Sequence, residues 1–330
     1  MKIKPKFKIF IIFTLCASIL FSYSAVGADI ENKSDAKKDY IKWMTFDVPD
    51  KAMLKAMNID IKYHGTDKEV DWIEVLSILA ANYYGRWERY KPKDMDTVVE
   101  KLQRGESAEE ITHNNKYYNF YHEAYSAVLS GFLGEYKTVS PVGSDNLVEK
   151  YGMLVFSPIA KGYYYSHYDD FGNSRTYGYK RKHMGNDLLG SVGTPIIAVE
   201  SGYVECMGWD SFGGWRIGIR SFDRKRYYYY AHLRKDKPYV QNLKQGMLVK
   251  AGEVIGYLGA TGYSNKENVN NMSRPHLHFG MQIIFDESQK EGVNQIWIDV
   301  YDIVNVLAKN KASVRKDPQT GDYYSTSLYY

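Results

Sequence analysis

The sequence predicts an α+β chain of two domains, a small N-terminal helical domain followed by an all-β domain built on an antiparallel sheet. Three observations predict it. Between residues 39 and 139 apolar side chains recur with helical spacing. At Ser140-Pro141-Val142-Gly143-Ser144 turn-forming residues break that rhythm. Beyond the break, short runs rich in Val, Ile and Tyr alternate with Gly at strand-like intervals.

The helical elements come first. Pro49 suits the first turn of one helix. Trp72, Val75, Leu76, Leu79, Ala80 and Tyr83 fall at i, i+3, i+4, i+7, i+8 and i+11, and Gly85 ends the run. Asp94 suits the cap of a short helix that reaches Leu102 and stops at Gly105, and Ser107-Ala-Glu-Glu110 has the form of a capping box. Tyr117, Phe120, Tyr121, Ala124, Tyr125, Val128 and Leu129 repeat the helical rhythm, ended by Gly131 and Gly134. The region reads as four or five helices whose Trp, Tyr and Leu stripes form core. Strands are predicted at 194–199, 202–206, 215–221, 226–233, 253–258 and 276–284, with a short helix closing 297–307 and a polar tail from Lys309. There is no internal repeat or low-complexity tract. The 31 tyrosines suit both a β-rich core and an extended groove for a polar ligand.

The first residues read as a secretory signal. Lys2, Lys4, Lys6 and Lys8 precede an apolar run from Ile9 to Phe21, interrupted only by Thr14 and Ser18, and Val26-Gly27-Ala28 supplies the small residues of a cleavage site. The run is shorter than the roughly 20 residues of a membrane span. Cleavage after Ala28 is therefore expected, and a membrane enters only if the segment stays uncleaved. Cys16 follows Thr14-Leu15 rather than the small residues of a lipoprotein signal. The expected organisation is a signal peptide at 1–28, a polar leader at 29–38, the helical domain at 39–139, a linker at 140–150, the β domain at 151–308 and the tail at 309–330. This places the protein outside the cytoplasm, secreted or associated with the cell wall.

The net charge of +4 comes from the signal, because residues 1–28 hold four lysines and no acid. The remainder balances 39 basic against 39 acidic residues, which gives no reason to expect nucleic acid as a partner. Only Cys206 survives cleavage, so no intrachain disulfide forms, and a chain of 330 residues builds a sufficient core without one.

Chemistry concentrates in three patterns: His183-Met-Gly-Asn-Asp187, Tyr230-Ala-His232 and His276-Leu-His278-Phe279. They hold enough imidazole and carboxylate for one zinc site, which takes three protein ligands and keeps a position open, with two histidines left for proton transfer. In a strand, residues i and i+2 share a face, so His276 and His278 point into one groove with Gln282, while Leu277 and Phe279 pack into the core. Gly185, Gly190 and Gly193 argue that His183 and Asp187 lie on a strand-to-loop passage rather than a helix. Strand alternation puts Tyr228, Tyr230 and His232 on one face. Each pattern alone is commonplace, and their joint occurrence in one β-rich segment is what makes them specific. His64, His113 and His122 lack such a pattern and read as structural or surface residues, while His167, beside Asp169 and Asp170, reads as a surface loop or groove rim.

The stretch from about Tyr177 to Phe285 resembles the lysostaphin-type zinc metallo-endopeptidases that cut peptide cross-bridges of bacterial peptidoglycan. The resemblance lies in the three patterns above, in Gly193-Thr-Pro-Ile-Ile-Ala-Val-Glu-Ser-Gly202, in Val249-Lys-Ala-Gly-Glu-Val-Ile-Gly256 and in Gly259-Ala-Thr-Gly262. It implies an antiparallel sheet with a groove running across it. It also implies a zinc site of His183, Asp187 and His278, with catalytic histidines His232 and His276, acting on the peptide stems and cross-bridges of peptidoglycan. Tyr177 or Tyr179 would donate a hydrogen bond to the tetrahedral intermediate. Two features depart from the family pattern. Gly280 stands where the family often has Glu, and the connection from Tyr263 to Pro275 is longer than usual, which makes it an expected groove wall. Two alternatives stand beside this reading. One is a catalytically silent relative that binds peptidoglycan or activates another hydrolase, although all five key positions are filled. The other is a lipoyl-carrier-like module, suggested by Lys250-Ala-Gly-Glu-Val-Ile-Gly256 alone. The helical region takes no part in the resemblance, and a protein partner through it remains an expectation.

Overall fold

The computed structural model describes residues 40–139 and 147–327. The predicted signal peptide, the leader and the Ser140–Ser144 turn lie outside the described residues. The described chain opens with helices α1 (Asp50–Tyr63), α2 (Trp72–Tyr83), α3 (Pro92–Gln103), α4 (Ala108–Ile111) and α5 (Tyr118–Leu129). A hairpin of β1 (Leu133–Val139) and β2 (Leu147–Met153) follows, then the short strands β3 (Ser174–Arg175), β4 (Arg181–Lys182), β5 (Asn186–Leu189) and β6 (Pro195–Ile197). The long strands are β7 (Gly202–Asp210), β8 (Gly214–Ser221) and β9 (Arg226–Ala231), followed by β10 (Leu248–Val249), β11 (Val254–Tyr257) and β12 (His276–Ile283). The chain closes with β13 (Ile296–Ile298), α6 (Tyr301–Leu307), β14 (Val314–Lys316) and β15 (Tyr323–Ser325).

The helix ends follow local chemistry. Asp71 caps α2, its carboxylate accepting from the N–H groups of Ile73 and Glu74, and Tyr84 ends the helix in the left-handed region at φ 55°. The capping box at Ser107 and Glu110 forms as the sequence predicts. Asp94 does not cap α3. Pro92 occupies the first turn, where its missing N–H costs nothing, and the Asp94 carboxylate instead accepts from the Tyr83 hydroxyl at 2.7 Å.

The main sheet is antiparallel in the order β10-β7-β8-β9-β12-β13, with β5 pairing one end of β12. One face is core: Ile217, Ile219, Tyr228, Tyr230, Leu277, Phe279, Met281 and Ile283 are fully buried. The other face is open. Its central strand β12 carries β9 on one flank, and β5 and then β13 on the other, so the histidine-bearing end of β12 is held on both sides.

Helices and sheet share one continuous buried cluster, running from Met44 and Trp72 through Val128 and Phe132 to Phe279 and Leu307. A charged clamp crosses the same boundary. Arg226 of β9 pairs through Nε and Nη2 with Glu200 at 2.8 and 2.9 Å, and donates through Nη1 to the carbonyl of Ala127 in the last turn of α5 at 2.9 Å. The guanidinium thus satisfies a helix-end carbonyl that has no partner within α5. Tyr228 completes the clamp, its hydroxyl donating to Glu200 at 2.7 Å.

Two stretches differ from the sequence reading. Residues 133–139, expected as the end of the helical region, form a strand paired with residues 147–153. The expected polar tail forms the β14–β15 hairpin. It is tied back by Asp322, which accepts from the Tyr257 hydroxyl at 2.7 Å and the Gln241 N–H at 2.9 Å.

Candidate metal and catalytic site

Alternation along β12 delivers the first two histidines. Leu277 and Phe279 point into the core, so His276 and His278 point to the open face, as does Gln282. Register then places the carboxylate. In the antiparallel pairing of β5 with β12, Asp187 lies directly opposite His278, and Ala231 of β9 flanks His278 on the other side.

His183 arrives from the passage between β4 and β5. Gly185 lies within that passage and has no room for a side chain: a Cβ there would stand 2.5 Å from the Phe279 carbonyl oxygen and 2.9 Å from the His278 ring. The turn presses against β12 and brings His183 Nε2 to 2.8 Å from His278 Nδ1 and 3.0 Å from Asp187 Oδ1. The third edge, His278 Nδ1 to Asp187 Oδ1, is 3.2 Å. Ligands about 2.0 Å from a tetrahedral zinc ion lie roughly 3.3 Å apart, so this triangle has the size and the donor chemistry of a zinc site. Among the described residues it is the one such group of His, Cys, Asp or Glu.

His232 reaches the site by a different route, and here the structure corrects the strand reading. Tyr228 and Tyr230 lie on the core face and are fully buried, whereas His232 turns to the open face. The strand ends at Ala231, and His232 takes φ 60°, a left-handed conformation that is uncommon for a residue with a side chain. Its N–H donates to the Gly213 carbonyl at 2.7 Å, which holds the bend. Gly262 makes room beside it at φ 112°, since a Cβ there would lie 2.5 Å from the Phe212 carbonyl oxygen and 2.9 Å from His232 Nδ1.

Hydrogen bonds fix the tautomers. His232 Nδ1 donates to the Thr261 carbonyl at 2.7 Å, and His276 Nδ1 donates to the Arg274 carbonyl at 2.8 Å. Each therefore presents Nε2 as a lone pair, and the two rings stand 4.7 Å apart. His276 Nε2 is buried without a protein hydrogen-bond partner, 3.7 Å from Asp187 Oδ1. A buried acceptor of this kind facing three metal-type donors fits a site that holds a reactive ligand.

The electrostatics follow from packing. Burial alone would lower the His183 imidazole, but the Asp170 and Asp187 carboxylates overcome it and hold it at about 9. His278 moves down, chiefly through burial, against the pull of Asp187. His232 is pushed well below the ordinary histidine value by burial and by His276 and His278. Asp187 resists its own burial, because bonds to His183 and His278 draw it far below the usual carboxylate range.

Sequence reasoning missed three neighbours. Asp170 lies behind His183, its Oδ2 3.2 Å from Nδ1, in the supporting position that orients a ligating imidazole. Arg175 donates through Nη2 to Asp170 Oδ2 at 2.9 Å and Asp187 Oδ2 at 3.1 Å, which leaves Asp187 Oδ1 facing the two imidazoles. Tyr229 packs edge-on against His278, with ring centroids 5.8 Å apart. Strand alternation on β9 was the available signal for Tyr229. Asp170 lies in irregular chain and Arg175 ends the two-residue strand β3, neither of which is long enough to carry a period.

Tyr177 is not brought to the His–Asp group. Its ring stacks on Tyr263 at 4.7 Å and meets Phe212 edge-on, and Arg181 lies over the Phe212 ring at 4.6 Å. These residues form an aromatic wall, and Tyr179 joins it, its ring 5.7 Å from that of Phe212. The long connection after Gly262 contributes Tyr263 and Met272 to the groove that holds the site, as its length predicts. His167 packs its ring against Tyr301, 4.8 Å away, apart from the group.

Known proteins resemble the segment that carries this group. The profile of peptidase family M23 matches residues 181–294. An L-Ala–D-Glu endopeptidase of Bacillus subtilis is 39% identical over 117 residues, which is 36% of this chain and 34% of the relative. Lysostaphin of Staphylococcus simulans is 40% identical over 98 residues, 29% of this chain and 17% of the relative. The chain thus matches about a third or less of these relatives' length. A crystal structure from Ruminococcus gnavus, assigned as a glycyl-glycine endopeptidase, superposes with a TM-score of 0.55 at 21% identity, covering 80% of this chain and 89% of its own. At that identity the likeness bears on the fold, and it reproduces the helical region together with the antiparallel sheet.

Proposed function

We propose that this chain, which carries a peptidase family M23 domain at residues 181–294, is a secreted zinc-dependent endopeptidase that hydrolyses peptide cross-bridges of bacterial peptidoglycan. One observation carries the reading. His183, Asp187 and His278, drawn from a loop and two paired strands, present three donor atoms 2.8–3.2 Å apart, and two more imidazoles face the same point. Two His and one carboxylate with an open side match a catalytic rather than a structural zinc site.

When bound, zinc supplies Lewis acidity for the scissile carbonyl and lowers the pKa of water toward about 7. The remaining chemistry falls to the chain. His276 and His232 offer Nε2 as proton acceptors, and their Nδ1 bonds to backbone carbonyls keep both rings in that tautomer. The proton taken there is held for the leaving amine, a step suited to imidazole because its free ring nitrogen can accept a proton and return it. Tyr229 and the wall of Tyr263, Phe212 and Arg181 orient the peptide and shield the centre from bulk water. The extracytoplasmic location expected from residues 1–28 accords with a substrate in the cell wall.

The test is digestion of purified peptidoglycan, with the released muropeptides resolved by mass spectrometry. The expected result is new peptide ends with wild type and none with Asp187→Ala. Intact muropeptides with the zinc-loaded wild type would instead favour a silent relative that only binds the wall.

A further inference from the structure

The groove does not end at the His–Asp group. Beyond Met184 and His278 it opens into a cavity of about 580 Å³ over the lower half of β12. Its floor is the open face of the sheet, with Arg216 of β8, Tyr227 and Tyr229 of β9, and Gln282 of β12. Its far wall is β13 and the segment leading into it, which supply Trp297, Lys290 and Glu291. This wall accounts for Gly280. A Cβ at that position would stand 2.7 Å from the Met184 carbonyl oxygen and 3.0 Å from the Trp297 ring. The Met184 carbonyl and the indole that bounds the cavity leave no room for a side chain at position 280.

The charges in the cavity are not equivalent. Glu205 is neutralised by Lys290 at 2.7 Å and by Arg220 at 3.4 Å. Arg216 has Asp210 alone as its ion-pair partner, at 2.9 Å from Nε. That contact is too far off line for a hydrogen bond, so Nε stays a buried donor without an acceptor. Arg216 and Lys290 are thus each paired with one carboxylate, and Arg216 is the cation on the floor of a cavity with aromatic sides, its guanidinium keeping one donor without an acceptor.

Resting on the endopeptidase reading, we propose that this cavity is a specificity subsite for a substrate residue with a carboxylate-bearing side chain, and that Arg216 selects it. A glycine-only bridge has no group to fill about 580 Å³ or to meet Arg216. An acidic stem-peptide residue has both a methylene chain for the tyrosine and tryptophan faces and an anion for the guanidinium.

The test compares matched soluble stem peptides that carry the acidic residue or its amide, alongside pentaglycine, with the zinc-loaded full chain. The expected kcat/KM is at least about tenfold higher for the acid than for the amide, and pentaglycine is the poorest substrate. Arg216→Gln should erase the acid preference mainly through KM, leaving amide cleavage within about twofold, and Arg216→Lys should restore part of it. If Arg216→Gln fails to fold, the wild-type preference alone decides. Equal cleavage of acid and amide, or preferred cleavage of pentaglycine, would overturn the subsite while leaving the endopeptidase reading intact. Failure to cut either peptides or whole peptidoglycan would instead remove the reading on which it rests.

Discussion

β12 and the end of β9 lie side by side on the same open face, yet they deliver their histidines by opposite means. On β12, His276 and His278 reach the groove because alternation puts them there, with Leu277 and Phe279 buried between and beyond them. On β9, alternation would send His232 into the core beside Tyr230. It reaches the groove only because the strand stops at Ala231 and the backbone turns to φ 60°. The first arrangement is secured by ordinary core packing. The second depends on a strained residue, held by hydrogen bonds to the Gly213 and Thr261 carbonyls and by the space that Gly262 leaves. Two of the three metal-type donors, His278 and Asp187, belong to the first kind of scaffold through β12 and its partner β5, and one of the two proton-handling histidines belongs to the second.

Substitutions can break this contrast in graded ways. The largest effect is expected from the packed side. Asp187→Ala or His278→Ala removes a donor from the triangle and should lower kcat/KM on peptidoglycan fragments by about 10³-fold or more, since the metal supplies several kcal/mol of transition-state stabilisation. Circular dichroism should remain native, because neither side chain is part of the hydrophobic core.

Next come the proton-handling histidines. His276→Ala and His232→Ala should each lower kcat by about 10²- to 10⁴-fold. A loss under fivefold in steady-state assays of either variant would remove that residue from the chemistry.

Gly262→Ala sharpens the comparison, because it touches the strained side alone. The added methyl would press on the Phe212 carbonyl and on the His232 ring. A displacement near 1 Å costs about 10² in rate, so activity should fall by about that factor while the triangle of donors stays intact. Loss of metal along with activity would show that the two scaffolds are not independent.

The smallest effect should arise at the C-terminal hairpin, far from this contrast. Asp322 is held below the ordinary carboxylate value: its burial works the other way, but Lys237, the Gln241 N–H and the Tyr257 hydroxyl prevail. A depressed carboxylate contributes stability that is complete above its unfolded value of about 4 and fades as pH falls through the lower folded value. Hydrogen-exchange protection factors across 314–325 should therefore fall below about pH 4, and Asp322→Asn should remove that dependence. An unchanged acid profile in the variant would show that Asp322 does not anchor the hairpin.

How much of this was legible in the sequence follows the same divide. The helices at 72–83 and 118–129 and the strand at 276–283 announced themselves, because each buries one face and therefore carries its period. The same period put His276 and His278 on one groove face, whereas the choice of His183, Asp187 and His278 as donors came from the family resemblance. The hairpin of 133–139 and 147–153 was not legible, since its strands are largely polar and each is interrupted by glycine. The common core of helices and sheet was also hidden. A period shows that a helix has an apolar face, not which element covers it. The orientation of His232 ran against alternation, and only a backbone dihedral decides it. Asp170 sits in irregular chain and Arg175 in the two-residue strand β3, where contacts rather than spacing assign a role.

The central claim is that three side chains from two paired strands and a loop hold one divalent ion, while His232 acts beside it without binding it. Zinc bound per chain, measured by elemental analysis after equilibration and gel filtration, tests this on wild type, Asp187→Ala and His232→Ala together. The account predicts one equivalent, none and one equivalent. A full equivalent retained by Asp187→Ala, or an empty site in His232→Ala, would contradict it.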